Sequence, residues 1–353
     1  LIANNYTTHN IPPDDPSIEF ALESLQCHNA LFSYTDEIEE ISISIADWTS
    51  NWFIAYLENK LTIDMNILES KISASQNNIQ LISELLLQAN GLFYYDPQQA
   101  HVTFENQSYH LNGLELKGKG AVENIFEIPN IEWSMNMPEN NIQSILSLFP
   151  SAYNAYANQI ATRGKASFDI EIQGLLDTEA NNYPSMKASL SVEDGYVKYD
   201  RSPKALKDLQ IGVNISKKQG DLSSLEIIVP RANASFGASG TIRHNMTLHP
   251  FDERQINMGA TDMNFSISDL SSSLPFFEDK NAKGMFTLIT RYQFKMKDIQ
   301  SKSWDRVDIT GEIRGNDIQY PIYEDESLYL QKATADRMND QFNLSLENLQ
   351  YQH

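Results

Sequence analysis

Cysteine is nearly missing from this chain: Cys27 stands alone in 353 residues, which excludes an intramolecular disulfide, a CxxC redox pair and a thiolate metal cage. The compartment stays open, because a periplasmic protein with a large enough sheet needs no staple any more than a cytosolic one does. Long apolar runs are missing too. The densest, Ile79 to Leu87, is interrupted by Gln80, Ser83 and Glu84 and falls short of the roughly 18 residues that a spanning helix needs. Its spacing suits either a helix or a strand, and its setting between strands favours a strand. Positive charge is scarce, with 26 basic residues against 47 acidic ones and a net charge of −21. Such a field repels phosphate backbones and anionic bilayers, so no nucleic-acid partner is expected. The basic residues present, such as Lys204 and Lys207 or Arg306 and Arg314, are interleaved with acids and form no run longer than Lys217-Lys218. The start, Leu1-Ile2-Ala3-Asn4, has neither an initiator methionine nor a charged leader with an apolar core. The expectation is a trimmed chain, from which no address can be read.

Catalytic signatures are equally scarce. There is no GxSxG elbow, and Gly237-Ala238-Ser239-Gly240 reads as part of a small-residue strand. Gly118-Lys119-Gly120 and Gly164-Lys165 lack the spacing of a phosphate loop. Glu37, Glu39 and Glu40 beside Asp36 read as a solvated loop. His101 with His110 and His244 with His249 come without HExxH or an orienting carboxylate; the first two are placed at either end of a hairpin, the one position where a metal pair is worth checking. No cofactor, no metal and no enzymatic activity are expected.

What is there is a folded, β-rich chain, 41% hydrophobic. Apolar residues recur with period two in Ile41, Ile43, Ile45; Val102, Phe104; Leu209, Ile211, Val213, Ile215; Leu225, Ile227, Val229; Met263, Phe265, Ile267; and Phe286 through Met296. Such alternation puts one set of side chains on one face of a strand. Turn residues at Asp96-Pro97, Asn112-Gly113, Asp194-Gly195, Gln219-Gly220-Asp221 and Arg314-Gly315-Asn316 predict antiparallel hairpins. A repeat is visible: Gly164 leads Phe168, Ile170 and Ile172 as Gly284 leads Phe286 and Leu288, the two glycines being 120 residues apart, as are Gly195 and Gly315, each read as opening a hairpin. Helical spacing precedes each glycine-led strand. Ile142, Ile145, Leu146 and Phe149 follow Pro138 at a first helical position and stop at Pro150, while Ser268 and Asp269 cap a turn carrying Leu270 and Leu274 before Pro275. The expected organisation is a disordered tail over 1–16, a β-rich unit over 17–130, one repeat copy over 131–258 and a second, incomplete copy over 259–353. The expected fold is mainly β, an elongated, curved antiparallel sheet built of repeated β units with a few short helices.

The order of these elements resembles the AsmA family of Gram-negative envelope proteins in its C-terminal AsmA-like region. The residues that carry the resemblance run from Ile145 to Pro150, Gly164 with Ala166 to Gly174, Met186 to Tyr199, Leu206 to Leu209, and Asn233 to Gly240. A second pass runs through Asp269 to Pro275, Gly284 with Phe286 to Phe294, and Val307 to Tyr320, and Asn29 to Asp36 is similar to an earlier family element. The resemblance implies a periplasmic protein, anchored in the inner membrane by an N-terminal helix absent from this sequence. It further implies involvement in outer-membrane assembly or phospholipid transport through an apolar groove, and carries no catalytic residues.

The residues alone are compatible with that role. Phe168, Ile170, Ile172, Phe286, Leu288, Tyr292 and Phe294 are the candidate lining of a lipid groove, each buried methylene contributing about 0.8 kcal/mol; equally, they could fill an ordinary sandwich core. The expected partner is a phospholipid or other acyl-chain lipid, with envelope proteins as further partners. The competing reading is a β-sandwich module for glycans or a protein partner, using Trp48, Trp52, Trp133 and Trp304 as stacking platforms.

Overall fold

A computed structural model describes residues 2–3, 19–37, 40–76, 79–146, 160–200, 204–270, 282–323, 326–338 and 341–352. The chain is mainly β and antiparallel, with a few short helices, as its periodicity predicts. Two compact units divide it. The first comprises Leu1–Asn158, Ser167–Ala188 and Lys218–Asp221, and the second Gln159–Ala166, Ser189–Lys217 and Leu222–His353.

In the first unit the strands are β1 (Ile2–Ala3), β2 (Phe20–Asp36), β3 (Ile41–Leu57), β4 (Lys60–Gln76), β5 (Ile79–Asp96), β6 (His101–Leu111), β7 (Leu114–Glu123) and β8 (Asn130–Asn141). From β2 to β8 each strand pairs antiparallel with the next, and β1 adds to β2 through Ile2↔Gln26 and Ala3↔Leu25. Asn112 and Gly113, both in the left-handed region at φ 50° and 84°, make the tight turn from β6 to β7 that an Asn-Gly pair favours. Helix α1 (Ile142–Leu146) follows β8. Strands β9 (Ile160–Leu175) and β10 (Ser185–Tyr199) pair with each other and contribute residues to both units.

The second unit continues with β11 (Leu206–Lys217), β12 (Glu226–Phe236), β13 (Gly240–Leu248), β14 (Asn257–Ser266), β15 (Lys283–Phe294), β16 (Asp308–Tyr323), β17 (Glu326–Met338) and β18 (Gln341–Gln352). These also pair in sequence order. The connections carry helices α2 (Ile267–Leu270) and α3 (Met296–Gln300).

Several local expectations are corrected. Pro138 lies inside β8 and α1 begins at Ile142, four residues later; Phe149 and Leu274 fall outside the described residues. Ser268 and Asp269 lie within α2 instead of ahead of it. Ile267 and Met296, counted into strands by their period, open helices. Gly237-Ala238-Ser239 is the turn between β12 and β13, with Gly237 at φ 64°. The buried Asp269 explains that turn: its carboxylate accepts the Ala238 amide at 2.8 Å and pairs with Lys204 at 3.6 Å. Asp194-Gly195 and Arg314-Gly315-Asn316 do not turn at all but sit inside the long strands β10 and β16. An Asp or Asn at positive φ serves a bulge as well as a reversal, and only the strand opposite decides between them.

The repeat survives in the strands. Moving β9 and β11 forward by the repeat spacing brings them onto β15 and β17, and Gly164 and Gly284 share an unusual φ of 122° and 124°. At Gly284 the register shifts between Lys283 and Met285, so this glycine makes a bulge within the ladder instead of a turn before it.

Candidate functional site: the apolar strand faces

Register turns the period-two pattern of single strands into rows. In the first unit Leu22, Ile54, Ile63, Phe93, Phe104, Gly120 and Trp133 are successive partners from β2 to β8. Beside them run Phe20, Tyr56, Leu61, Tyr95, Val102, Val122 and Ile131. Directly opposed residues have their Cβ atoms about 5 Å apart, so each row is a continuous apolar band. Phe20 stacks on Tyr56 at 6.0 Å, and Phe93 meets Phe104 at 6.4 Å.

These bands are not the interior of a packed sandwich. Half of the buried apolar residues among those described are alanines, such as Ala55 and Ala89, while Trp52, Ile63, Phe93, Phe104, Trp133 and Ile172 are only half-buried. The pairing contacts run between strands adjacent in sequence.

Glycine and glutamine shape this face. Gly91 lies under the Gln107 side chain: a Cβ there would meet Gln107 Oε1 at 2.1 Å. The Gln107 amide donates to Leu92 O and Glu105 O, both at 3.1 Å, and accepts the Tyr109 hydroxyl at 3.3 Å. Burial pushes the Tyr109 phenol above its ordinary pKa. Gly118 is the partner of Met135 and Gly120 of Trp133, and at Gly120 the Phe104 ring and the β8 backbone pack where a Cβ would stand. Recesses of about 540 Å³ and 520 Å³ open there, the first lined by Gln107, Gly118, Met135 and Ile170, the second by Phe104, Gly120, Trp133 and Ile172. Glu171 borders both and Asp169 the first, but both are exposed and alternate with the isoleucines.

In the second unit Ala234, Ile242, Met263, Leu288, Ile313, Ala335 and Leu344 form a corresponding row from β12 to β18. Phe265, Phe286, Gly315, Ala333 and Leu346 run beside it. Along β18 Leu344, Leu346, Leu349 and Tyr351 are 70%, 51%, 53% and 51% exposed, so the apolar side chains there are less covered than those of inner strands. A smaller, almost wholly apolar recess of about 270 Å³ is lined by Val197, Tyr199, Leu206, Phe236, Ile242 and Phe265, with Lys204 at its border. Phe236 and Phe265 meet edge to face at 5.7 Å. Tyr292 lies across Gly259, stacked between His244 at 6.3 Å and Phe294 at 6.2 Å, and burial raises its phenol pKa.

The candidates from the sequence are thus placed in two groups. Phe168, Ile170 and Ile172 alternate along the first unit's part of β9, and Phe286, Leu288, Tyr292 and Phe294 along β15 of the second; all seven are half-buried. What sequence reasoning missed is the larger share of each face, above all Ile63 and Phe93, and that Trp52 and Trp133, read there as stacking platforms, belong to the same apolar face, because the strands that bring them together are identified by pairing and not by period. The histidine pair fails as a metal site. His101 and His110 occupy the two ends of the single strand β6, and at about 3.3 Å per residue they stand on the order of 30 Å apart. No cluster of metal-ligating side chains occurs among the described residues. Of the tryptophans, Trp48, Trp52 and Trp133 are half-buried, and Trp304 is 63% exposed.

No protein-family model, no curated protein and no solved structure matches the chain.

Proposed function

We propose that this protein binds acyl-chain lipid along its apolar strand faces and conducts it, acting without catalysis as a periplasmic, AsmA-like participant in phospholipid transport and outer-membrane assembly. One observation carries the reading: apolar rows cross seven strands in each unit, and most of their large side chains are only half-buried. A folded protein does not leave so much contiguous apolar surface in water without a use for it. An alkyl chain laid along a row contributes about 0.8 kcal/mol for each methylene it removes from water. A row of equivalent neighbours also lets it shift by one strand at little cost. The alternative, a glycan-binding module, draws chiefly on Trp304, which is exposed, whereas Trp48, Trp52 and Trp133 are half-buried.

The test is native mass spectrometry of protein purified from envelopes, combined with a photo-crosslinking amino acid at Ile172 and, separately, at Leu288. The expected result is co-purified phospholipid that crosslinks at both positions and is reduced by Ile63→Asp or Leu288→Asp. Protein free of lipid, with no crosslink at either position, would refute the proposal.

A further inference from the structure

On the other side of the second unit's strands, Arg231 of β12, Arg243 of β13 and Arg291 of β15 line one recess of about 410 Å³, together with Asn233, Asn245 and Asp262. Strand alternation puts them there. Arg243 stands between Ile242 and His244, and Arg291 between Thr290 and Tyr292, so their side chains leave the face that carries the apolar row. Register then gathers them: Arg243 is the partner of both Asn233 and Asp262, Arg291 is the partner of Ala260, and Arg231 occupies the irregularity in β12 between Val229 and Ala232.

Their lack of counter-charge sets these arginines apart. Elsewhere Arg254 pairs with Asp252, Arg306 with Asp298 and Arg314 with Glu312, while Arg163 lies over the ring of Tyr196. Among the described residues no carboxylate is within ion-pair distance of Arg231, Arg243 or Arg291. Yet the chain holds 47 acidic residues against 26 basic ones. Asp262 is the acid in the lining, and against three guanidinium groups it leaves the recess positive. Gathering like charges without a counter-ion raises the energy of the empty site, and an anion of matching charge relieves it.

We propose that this recess binds a phosphorylated ligand. A guanidinium offers a planar fork of donors that matches two oxygens of a phosphate, and three forks exceed what a single carboxylate can take up. The Asn233 and Asn245 amides supply neutral donors to the remaining oxygens. The site is on the polar face and does not rest on the lipid reading, which concerns the opposite one.

The test is calorimetric titration of the full chain with inorganic pyrophosphate, with co-sedimentation on phosphatidylglycerol and phosphatidylcholine vesicles as a second arm. Saturable pyrophosphate binding is expected. It should weaken with added salt and fall at least about tenfold in Arg231→Gln/Arg243→Gln/Arg291→Gln, because charge-assisted hydrogen bonds are lost. Asp262→Asn is expected to tighten it. All three arginines are exposed, so the variant should keep the wild-type circular dichroism and melting temperature. Arginine-dependent sedimentation with phosphatidylglycerol alone identifies a lipid headgroup as the source of the phosphate, and binding of pyrophosphate without sedimentation identifies a soluble one. Equal affinity of wild type and a folded triple variant for both probes, or binding of neither by the wild type, overturns the proposal.

Discussion

Ser50 is wholly buried and accepts the indole N–H of both Trp48 and Trp52, each at 2.8 Å. Residues two apart on a strand share a face, so the hydroxyl uses both of its acceptor sites to hold two large rings on the apolar side of β3. Ser50→Ala removes the shared acceptor and strands two indole donors, at an expected cost of about 1–3 kcal/mol. Urea unfolding followed by tryptophan fluorescence measures it, and an unchanged midpoint would contradict this role. The Glu312 and Arg314 pair sets a pH dependence. The hydrogen bonds from Arg314 hold the Glu312 carboxyl below its ordinary range. A depressed folded pKa stabilises the protein above the unfolded value and loses that contribution as pH falls through the folded one. Wild type is therefore expected to melt above Glu312→Gln at neutral pH, with the gap closing below about pH 4. Because the pair is exposed, the gap is small and narrows in salt; a gap that widens on acidification would reverse the assignment.

At the scale of the element, the glycines show where local signals were legible and where they were not. Gly164 and Gly284, which the sequence pattern pairs, share a positive φ, and this explains why the same residue type recurs. Their role was not legible. A Cβ on Gly284 would stand 2.9 Å from Asp317 O and from Ile318 Cα, both backbone atoms of β16, so Gly284→Ala combines strain at φ 124° with a clash that no side chain can relieve. A loss of about 1–3 kcal/mol is expected in denaturant unfolding. Gly315→Ala meets only the Cδ1 end of Ile318 at 2.3 Å and should cost less, since that side chain can turn away; the opposite ranking would refute the bulge account. The long strands escaped the turn signals for a related reason. Asp47, Glu84, Asn106, Asp194 and Asp317 all adopt positive φ inside strands, and a residue in that conformation bends or re-phases a ladder without ending it.

For the whole molecule, composition and periodicity were enough for the class of fold, because alternation is a property of a single strand and needs no partner. The candidate site was legible in part. Ile170, Ile172 and Leu288 were found from their own strands, whereas Trp52, Phe93 and Trp133 become neighbours of other apolar residues only through register. A wrong phase of one residue would turn each of them to the other face. The lipid reading belongs to this scale, since no single residue makes a conducting surface and the expected crosslinks at Ile172 and Leu288 probe each unit by itself.

By itself, then, the amino-acid order determined that the chain is β, that one side of many strands is apolar, that no disulfide can brace it, and that acid exceeds base. Tertiary structure alone decided that apolar stripes join into uninterrupted, half-buried rows, that recesses open beside Trp133 and Met135, and that three arginines share one recess with a single carboxylate, Asp262, with which none of them is ion-paired. The physical reason is one of range. Side-chain alternation is set by the geometry of adjacent peptide units, but a row, a recess or an unbalanced charge is made by residues from different strands, and those are brought together by hydrogen-bond register across the sheet.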